Sequence, residues 1–281
     1  VPEGHTLHRL ARDQRRDLVG HPVGASSPQG RFAEGAARLD GATWVDTEAW
    51  GKHLFHHVDT GDVLHVHLGL IGRFVRRRTP PPEPVGQVRL RVVGPERTWD
   101  LSGPMVCSVV TPEHVEHVVA KLGPDPLRAD ADPDRFVAAL GRRRVPVAAA
   151  LLDQTVVAGL GNVYRAELLF LAGVHPATPA NELDEGTARR LWDLAVEQLR
   201  LGVRRNRIIT IDPDELDVPA TRLKRGDATY VYHRDTCRRC GTPLEVSEIG
   251  GRRCWSCPAE QPRRRRRRAP AARRGRTGAA R

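Results

Sequence analysis

The sequence predicts an α+β protein. It reads as an N-terminal helix plus an antiparallel β-sandwich, then a helical domain, then a small metal-binding β-hairpin. Three observations carry this. The hydrophobic period is helical before residue 20, alternates between about Val23 and Leu101, and becomes helical again from Asp134. Turn-forming clusters separate the short alternating runs. Four of the five cysteines crowd between positions 237 and 257.

Each element has its own warrant. Residues 3–18 place Leu7, Leu10, Ala11 and Leu18 on one helical face, and Gly20 is a stop. The runs WVDTEAW, HLFHHV, VLHVHLGL, GRFVRR and QVRLRVVG follow, broken by turn residues at 59–62 and 80–84. Such a series predicts a sandwich or barrel of five or more strands. Pro112 to Lys121 reads as a short helix, with Thr111 as N-cap and Pro112 at its first position. Residues 123–133 have a linker's composition. RFVAALGR, PVAAALLDQ, NVYRAELLFLAG and ELDEGTARRLWDLAVEQLRLGVRR are four candidate helices, and 204–229 is irregular. The division expected is 1–122, 129–229, 230–261 and a basic, disordered tail over 262–281. No internal repeat is present.

Composition bounds the function. A chain of 281 residues, 40% apolar and 28% charged, has room for real cores. It holds no apolar run long enough to span a membrane and no secretory signal pattern. The bunched cysteines suit a metal site in a reducing compartment better than a disulfide framework. The formal net charge is +11, but ten arginines follow Glu260 with no acidic residue among them. Residues 1–262 therefore carry +1 (eleven minus ten), so the basicity describes the tail, either as a phosphate-screening segment or as a solvated run. Only three lysines, Lys52, Lys121 and Lys224, stand against 42 arginines, so each lysine is informative.

Three segments carry chemistry. The chain opens Val1-Pro2-Glu3-Gly4. If Val1 is the initiator and is trimmed, Pro2 presents a secondary amine with a pKa of about 8, partly neutral and able to attack a sugar carbon. Glu3 is then a neighbouring proton donor. The plainer reading is proline and glutamate in a first helical turn, where both are favoured. Gly159-Leu-Gly-Asn162 precedes a helix, where backbone N–H groups can meet a phosphate and Asn162 can cap or contact it; an ordinary helical corner is the plainer alternative. Cys237-x2-Cys240-x13-Cys254-x2-Cys257 has the spacing of a tetrahedral zinc site. Between the pairs, Gly250-Gly251 forms a hairpin turn that pushes Arg252 or Arg253 outward. Cys107 is isolated and reads as a core residue. The histidines at 53, 56, 57, 65 and 67 read as hydrogen-bonded or solvated rather than metal-binding.

Together, PEGHT, ALLDQTVVAGLGNVYRAELLF and the cysteine hairpin, in that order, resemble the formamidopyrimidine-DNA glycosylase/endonuclease VIII family over about residues 2–261. The resemblance implies a helix–two-turn–helix domain and a structural zinc hairpin, with damaged double-stranded DNA between them and the sandwich. It implies a bifunctional DNA glycosylase/AP lyase of base excision repair, acting as a monomer in the bacterial cytoplasm at the nucleoid. By position it assigns Pro2 as nucleophile, Glu3 as acid/base and Lys52 as the lysine assisting elimination. It places Arg252 with these catalytic residues, as the hairpin-tip arginine that grips the phosphates flanking the lesion; Asn162 and Lys121 match DNA contacts, and Leu70, with Ile71, matches the wedge that fills the flipped base's place. Leu70 also continues the face of Leu64, Val66 and Leu68 and has a core reading. The PEGHT start and the VYHRDTC segment resemble the endonuclease VIII branch, which implies oxidised pyrimidines as substrates. A non-catalytic zinc protein binding nucleic acid through the same elements is the alternative.

The zinc end departs from the family pattern. Glu260 stands where the family's fourth cysteine falls, and Cys254 is an additional cysteine. Two ligand sets follow: Cys237, Cys240, Cys257 with Cys254, or the same three with Glu260. The preference of structural sites for thiolates favours Cys254.

Overall fold

The computed structural model describes residues 2–212, 215, 222, 223 and 227–263. Chain order is α1 (Gly4–Leu18), β1 (Gly24–Ser26), α2 (Ala33–Leu39), β2 (Trp44–Trp50), β3 (His53–Val58), β4 (Val63–His67), β5 (Arg73–Arg78), β6 (Val88–Val93), β7 (Arg97–Ser102) and β8 (Val106–Val110). Then come α3 (Pro112–Ala120), α4 (Pro133–Gly141), α5 (Val147–Ala150), α6 (Asn162–Leu171), α7 (Glu185–Arg205), β9 (Glu245–Ile249) and β10 (Arg252–Ser256). The expected tail lies outside the described residues from 264 onward.

Two four-stranded antiparallel sheets, β1-β6-β7-β5 and β2-β3-β4-β8, form the sandwich. Alternation along each strand sends one set of side chains inward. Trp44, Leu54, Leu64, Leu90 and Leu101 share a core with Leu7 and Leu18 of α1. The central strands β3 and β4 are covered on the other face too, where Phe55 and Val63 meet Val115 of α3. His56 is buried and its Nε2 bonds Gln14 Oε1 of α1 at 2.6 Å. His53 Nδ1 and His65 Nε2 share a bond of 2.9 Å. These histidines belong to hydrogen-bonded packing, and among the described residues they form no metal cluster.

A second core joins α4, α5, α6 and α7 through Phe136, Val147, Tyr164, Leu168, Leu191 and Leu199. Several segments differ from expectation. Helix α2 and strand β8 were not legible, being 7 and 5 residues long. PVAAALLDQ is helical only over Val147–Ala150, because Asp153 turns the chain: its side chain accepts from Thr155 N and its carbonyl from Val156 N. The 123–133 segment is clamped rather than free. Asp125 is buried, accepting from Gly51 N and bonded to His8 Nε2, both at 2.7 Å. Gly123 N donates to Gln154 O. None of the described helices is long and apolar enough to cross a membrane.

Candidate active site

Three distant pieces of chain meet at the Gly159–Gly161 turn. Gly4 N donates to Gly159 O at 2.8 Å. Lys52 Nζ donates to Leu160 O at 2.5 Å. The Glu3 carboxylate accepts from Gly161 N at 2.7 Å and from Val163 N at 2.9 Å. The approach needs glycine: a Cβ on Gly161 would stand 2.5 Å from Glu3 Cδ, and one on Gly4 would stand 2.9 Å from Gly159 Cα.

This corrects the reading of Asn162 as the helix cap. Gly161 occupies the cap position of α6 and supplies no side chain, and the carboxylate that takes the free N–H groups arrives from Glu3. A charged oxygen at a helix N-terminus is the stronger acceptor. Asn162 is thereby released to other partners. Its Oδ1 accepts from Arg165 Nη2 at 2.5 Å and its Nδ2 donates to Arg253 O at 3.1 Å.

Electrostatics at this corner are mutual. Burial pushes the Glu3 carboxyl up, opposed by Lys52 and by the N–H groups it accepts. Burial pushes the Lys52 ammonium down, opposed by Glu3, while Arg252 adds a further downward push. Glu3 has no exposed surface. A carboxyl so placed holds a proton more readily than a solvated one, which suits a donor. Pro2 is half-buried at the edge of a cleft of about 1130 Å³ that also meets Arg73, Trp99, Asn206 and Tyr232.

Of the remaining candidates, Arg252 reaches the corner through its charge on Lys52. Leu70 is 61% exposed and Ile71 82%, in the turn between β4 and β5, so Leu70 does not join the core. Met105, 67% exposed, stands by the same turn, where a Cβ on Gly69 would meet its Cβ at 2.9 Å. Sequence reasoning missed Met105; its signal was a methionine after Gly103-Pro104, outside any alternating run. Lys121 is exposed at the end of α3. Arg252 is exposed beside the Gly250-Gly251 turn, whose φ angles of 64° and 69° close a two-residue hairpin with Ile249 paired to Arg252.

At the C-terminal end the Sγ atoms of Cys237, Cys240 and Cys257 all lie within 4.8 Å of one another. Cys254 does not join them, contrary to the preferred four-thiolate set. Strand β10 runs unbroken through Ser256 with Cys254 paired to Ser247, so side chains alternate across it. Cys254 packs into the helical core with Ile249, while Trp255 and Cys257 pack on the opposite side with Cys237 and Tyr230. Two buried charges of α6 were also missed. Glu167 accepts from Tyr230 N, Val231 N and Tyr232 N at 2.7–2.9 Å, holding the segment that leads into Cys237. Arg165 is fully buried under the hairpin. Helical periodicity hides both, because charged residues in a helix usually face water.

Residues 1–101 match the model of the formamidopyrimidine-DNA glycosylase N-terminal domain, and residues 122–213 match that of the formamidopyrimidine-DNA glycosylase H2TH domain. Endonuclease 8 1 of Mycobacterium tuberculosis is 46% identical over 267 residues, spanning 93% of this chain and all of that protein. The chain belongs to the formamidopyrimidine-DNA glycosylase/endonuclease 8 family. Its members are DNA glycosylase/AP lyases of base excision repair. The formamidopyrimidine-DNA glycosylase of Salinispora arenicola is 34% identical, covering 89% of this chain and 87% of that enzyme. In fold, the chain is similar to Lactococcus lactis formamidopyrimidine-DNA glycosylase bound non-covalently to DNA containing an AP site, with a TM-score of 0.77 at 23% identity, covering 93% of this chain and all of that one.

Proposed function

We propose that this enzyme excises oxidised pyrimidines from duplex DNA, as a monomer, through a Schiff base on Pro2. The observation that carries the reading is the buried Glu3 carboxylate, capping α6 beside Lys52 with Pro2 at the cleft edge. The role requires Val1 to be removed, so that Pro2 nitrogen is a free secondary amine. That nitrogen attacks C1′ of the everted nucleotide. The glycosidic bond breaks, its electron pair leaves with the base, and the base takes a proton delivered from the Glu3 carboxyl. The amine proton is lost, the C1′–O4′ bond opens with its electron pair and a proton going to O4′, and the resulting iminium acidifies the C2′ proton. Loss of that proton expels the 3′ phosphate, and a further elimination expels the 5′ phosphate. The Lys52 ammonium stabilises the phosphate that leaves. Leu70 and Ile71 fill the vacated stack, as apolar wedges do. Asn162, Arg252 and Lys121 hold backbone phosphates. The pyrimidine preference rests on PEGHT and on the greater identity to an endonuclease 8 than to the formamidopyrimidine glycosylases.

The three clustered thiols suit a structural zinc ion; Glu260, which lies outside that cluster with its carboxylate 3.9 Å from Arg239, would turn in as the fourth ligand. Two turns support this. Gly241 N donates to Cys237 O at 2.9 Å, and Gln261 N donates to Cys257 O at 2.8 Å. Residues 237–240 and 257–260 therefore turn alike, which gives Glu260 the place in its turn that Cys240 has in the other. Bound there, the ion supplies a cross-link that fixes the base of the hairpin.

Incision of duplexes carrying thymine glycol, dihydrouracil, 8-oxoguanine or a plain abasic site tests the reading. Rapid cleavage of the first two and of the abasic duplex supports it. Preference for 8-oxoguanine overturns the substrate class. Tight binding without cleavage of any duplex favours a non-catalytic binding protein.

A further inference from the structure

We propose that Arg165 is a positioning residue that fastens the β9–β10 hairpin to the first turn of α6, so that Asn162 and Arg252 meet DNA as one rigid body. The inference rests on the reading of those two residues as phosphate contacts.

Arg165 has no exposed surface. Its Nη1 donates to Ile249 O at 2.8 Å and to Ala148 O at 3.3 Å. Its Nη2 donates to Asn162 Oδ1 at 2.5 Å, to Arg253 O at 3.0 Å and to Arg252 O at 3.5 Å. One guanidinium thus holds backbone carbonyls on both sides of the Gly250-Gly251 turn, a carbonyl of α5 and the amide of the corner asparagine. Among the described residues no carboxylate forms an ion pair with it. Burying a cation without a counter-ion is costly, and a site that does so uses the cation's geometry rather than its charge alone. The planar fork of arginine suits this, because its donors spread in fixed directions; a lysine ammonium offers three donors from one point.

The second link closes the unit. Asn162 Nδ2 donates to Arg253 O at 3.1 Å, so the asparagine is held from both sides by the hairpin system. An amide nitrogen has two hydrogens. One is used here, and the side chain also bonds the Tyr232 hydroxyl, a partner that a phosphate oxygen reaching Asn162 would replace. Glu3 caps the same turn of α6, so the hairpin is registered to the acid through a single helical turn. The Gly250-Gly251 tip rests on α5, where a Cβ on Gly250 would lie 3.5 Å from Ala149. Truncating Arg165 leaves several buried oxygens without donors and lets the hairpin swing independently of α6.

The test uses Arg165→Lys and Arg165→Leu in the full-length protein. Borohydride trapping on an abasic duplex counts active sites, and zinc content is measured in parallel. The proposal expects KM per trapped site to rise about tenfold, the equivalent of one lost buried hydrogen-bond set, while kcat per trapped site stays within about twofold and zinc content is unchanged. A merely structural role lowers the trapped fraction and leaves KM per site alone, which overturns the proposal. If neither variant folds, hydrogen exchange of the wild-type protein decides. Amides of 246–254 and 163–169 should open together, with protection equal within about threefold; hairpin amides exchanging about a hundredfold faster overturn the link. Asn162→Ala and Arg252→Ala separate the two readings. If both keep wild-type KM, the phosphate-contact assignment fails, whereas the exchange result still judges the fastening by itself.

Discussion

The Glu3–Lys52 corner and the cysteine knuckle are built in opposite ways. Glu3, Lys52 and Leu160 come from three distant parts of the chain and are joined by burial and backbone hydrogen bonds. Cys237, Cys240 and Cys257 lie within 21 positions of one another on two short turns and a hairpin. At the corner, residue types were readable and contacts were not. At the knuckle, spacing foreshadows the contacts, yet Cys254, a ligand by spacing, lies on the opposite side of β10 from Cys257. Spacing thus nominates ligands, whereas strand parity selects among them.

The largest effect should come from breaking the corner. Glu3→Gln is expected to lower excision from thymine-glycol duplexes by about a hundredfold or more while cleavage of preformed abasic duplexes stays within about tenfold of wild type. Steady-state rates on the two substrates check this. Equal losses on both would make Glu3 a helix cap and nothing further.

The knuckle breaks differently. Cys257→Ala should abolish stoichiometric zinc, and Glu260→Ala should weaken zinc by about tenfold or more in chelator competition. Glu260→Cys should tighten it. Cys254→Ala should keep full zinc and lose only packing, about 1–3 kcal/mol in urea unfolding. Loss of zinc from Cys254→Ala, with Glu260→Ala unaffected, would restore the four-thiolate set.

Acid should distinguish the two regions by another route. Burial holds His56 and His65, on the sheet that carries Lys52, down at about 3 from an ordinary 6.5. Both stay neutral when folded and take up protons when unfolded. Their stabilising contribution is therefore present above about 6.5 and lost as pH falls toward 3. Unfolding free energy measured between pH 7 and 4 should decline through that window. A flat profile would mean that these histidines are protonated in the fold.

The smallest effect belongs to the wedge. Leu70→Ala should raise KM on lesion duplexes by about three- to tenfold and leave the melting temperature unchanged, because Leu70 is 61% exposed. A drop in melting temperature would return Leu70 to the core.

Much of the fold was legible because period is local. The runs that became β2 to β6, and the helices α1, α3, α4, α6 and α7, announce themselves within a few turns. What escaped was set from a distance. Asp125 looks like a linker residue until Gly51 and His8 are brought to it. Asn162 looks like a cap until Glu3 supplies a stronger one. Arg165 looks like a surface charge until four backbone carbonyls surround it. Each case is a polar group whose partner lies in another part of the fold, and pattern within a single segment carries no trace of it.

The central claim is that Pro2 nitrogen forms the covalent bond to the sugar. Its most direct test is borohydride reduction of the enzyme on an abasic duplex, followed by digestion and mass spectrometry of the adduct. The account predicts a mature chain beginning at Pro2, with the sugar remnant on that nitrogen. A remnant on Lys52, or an intact Val1 on fully active enzyme, would contradict it.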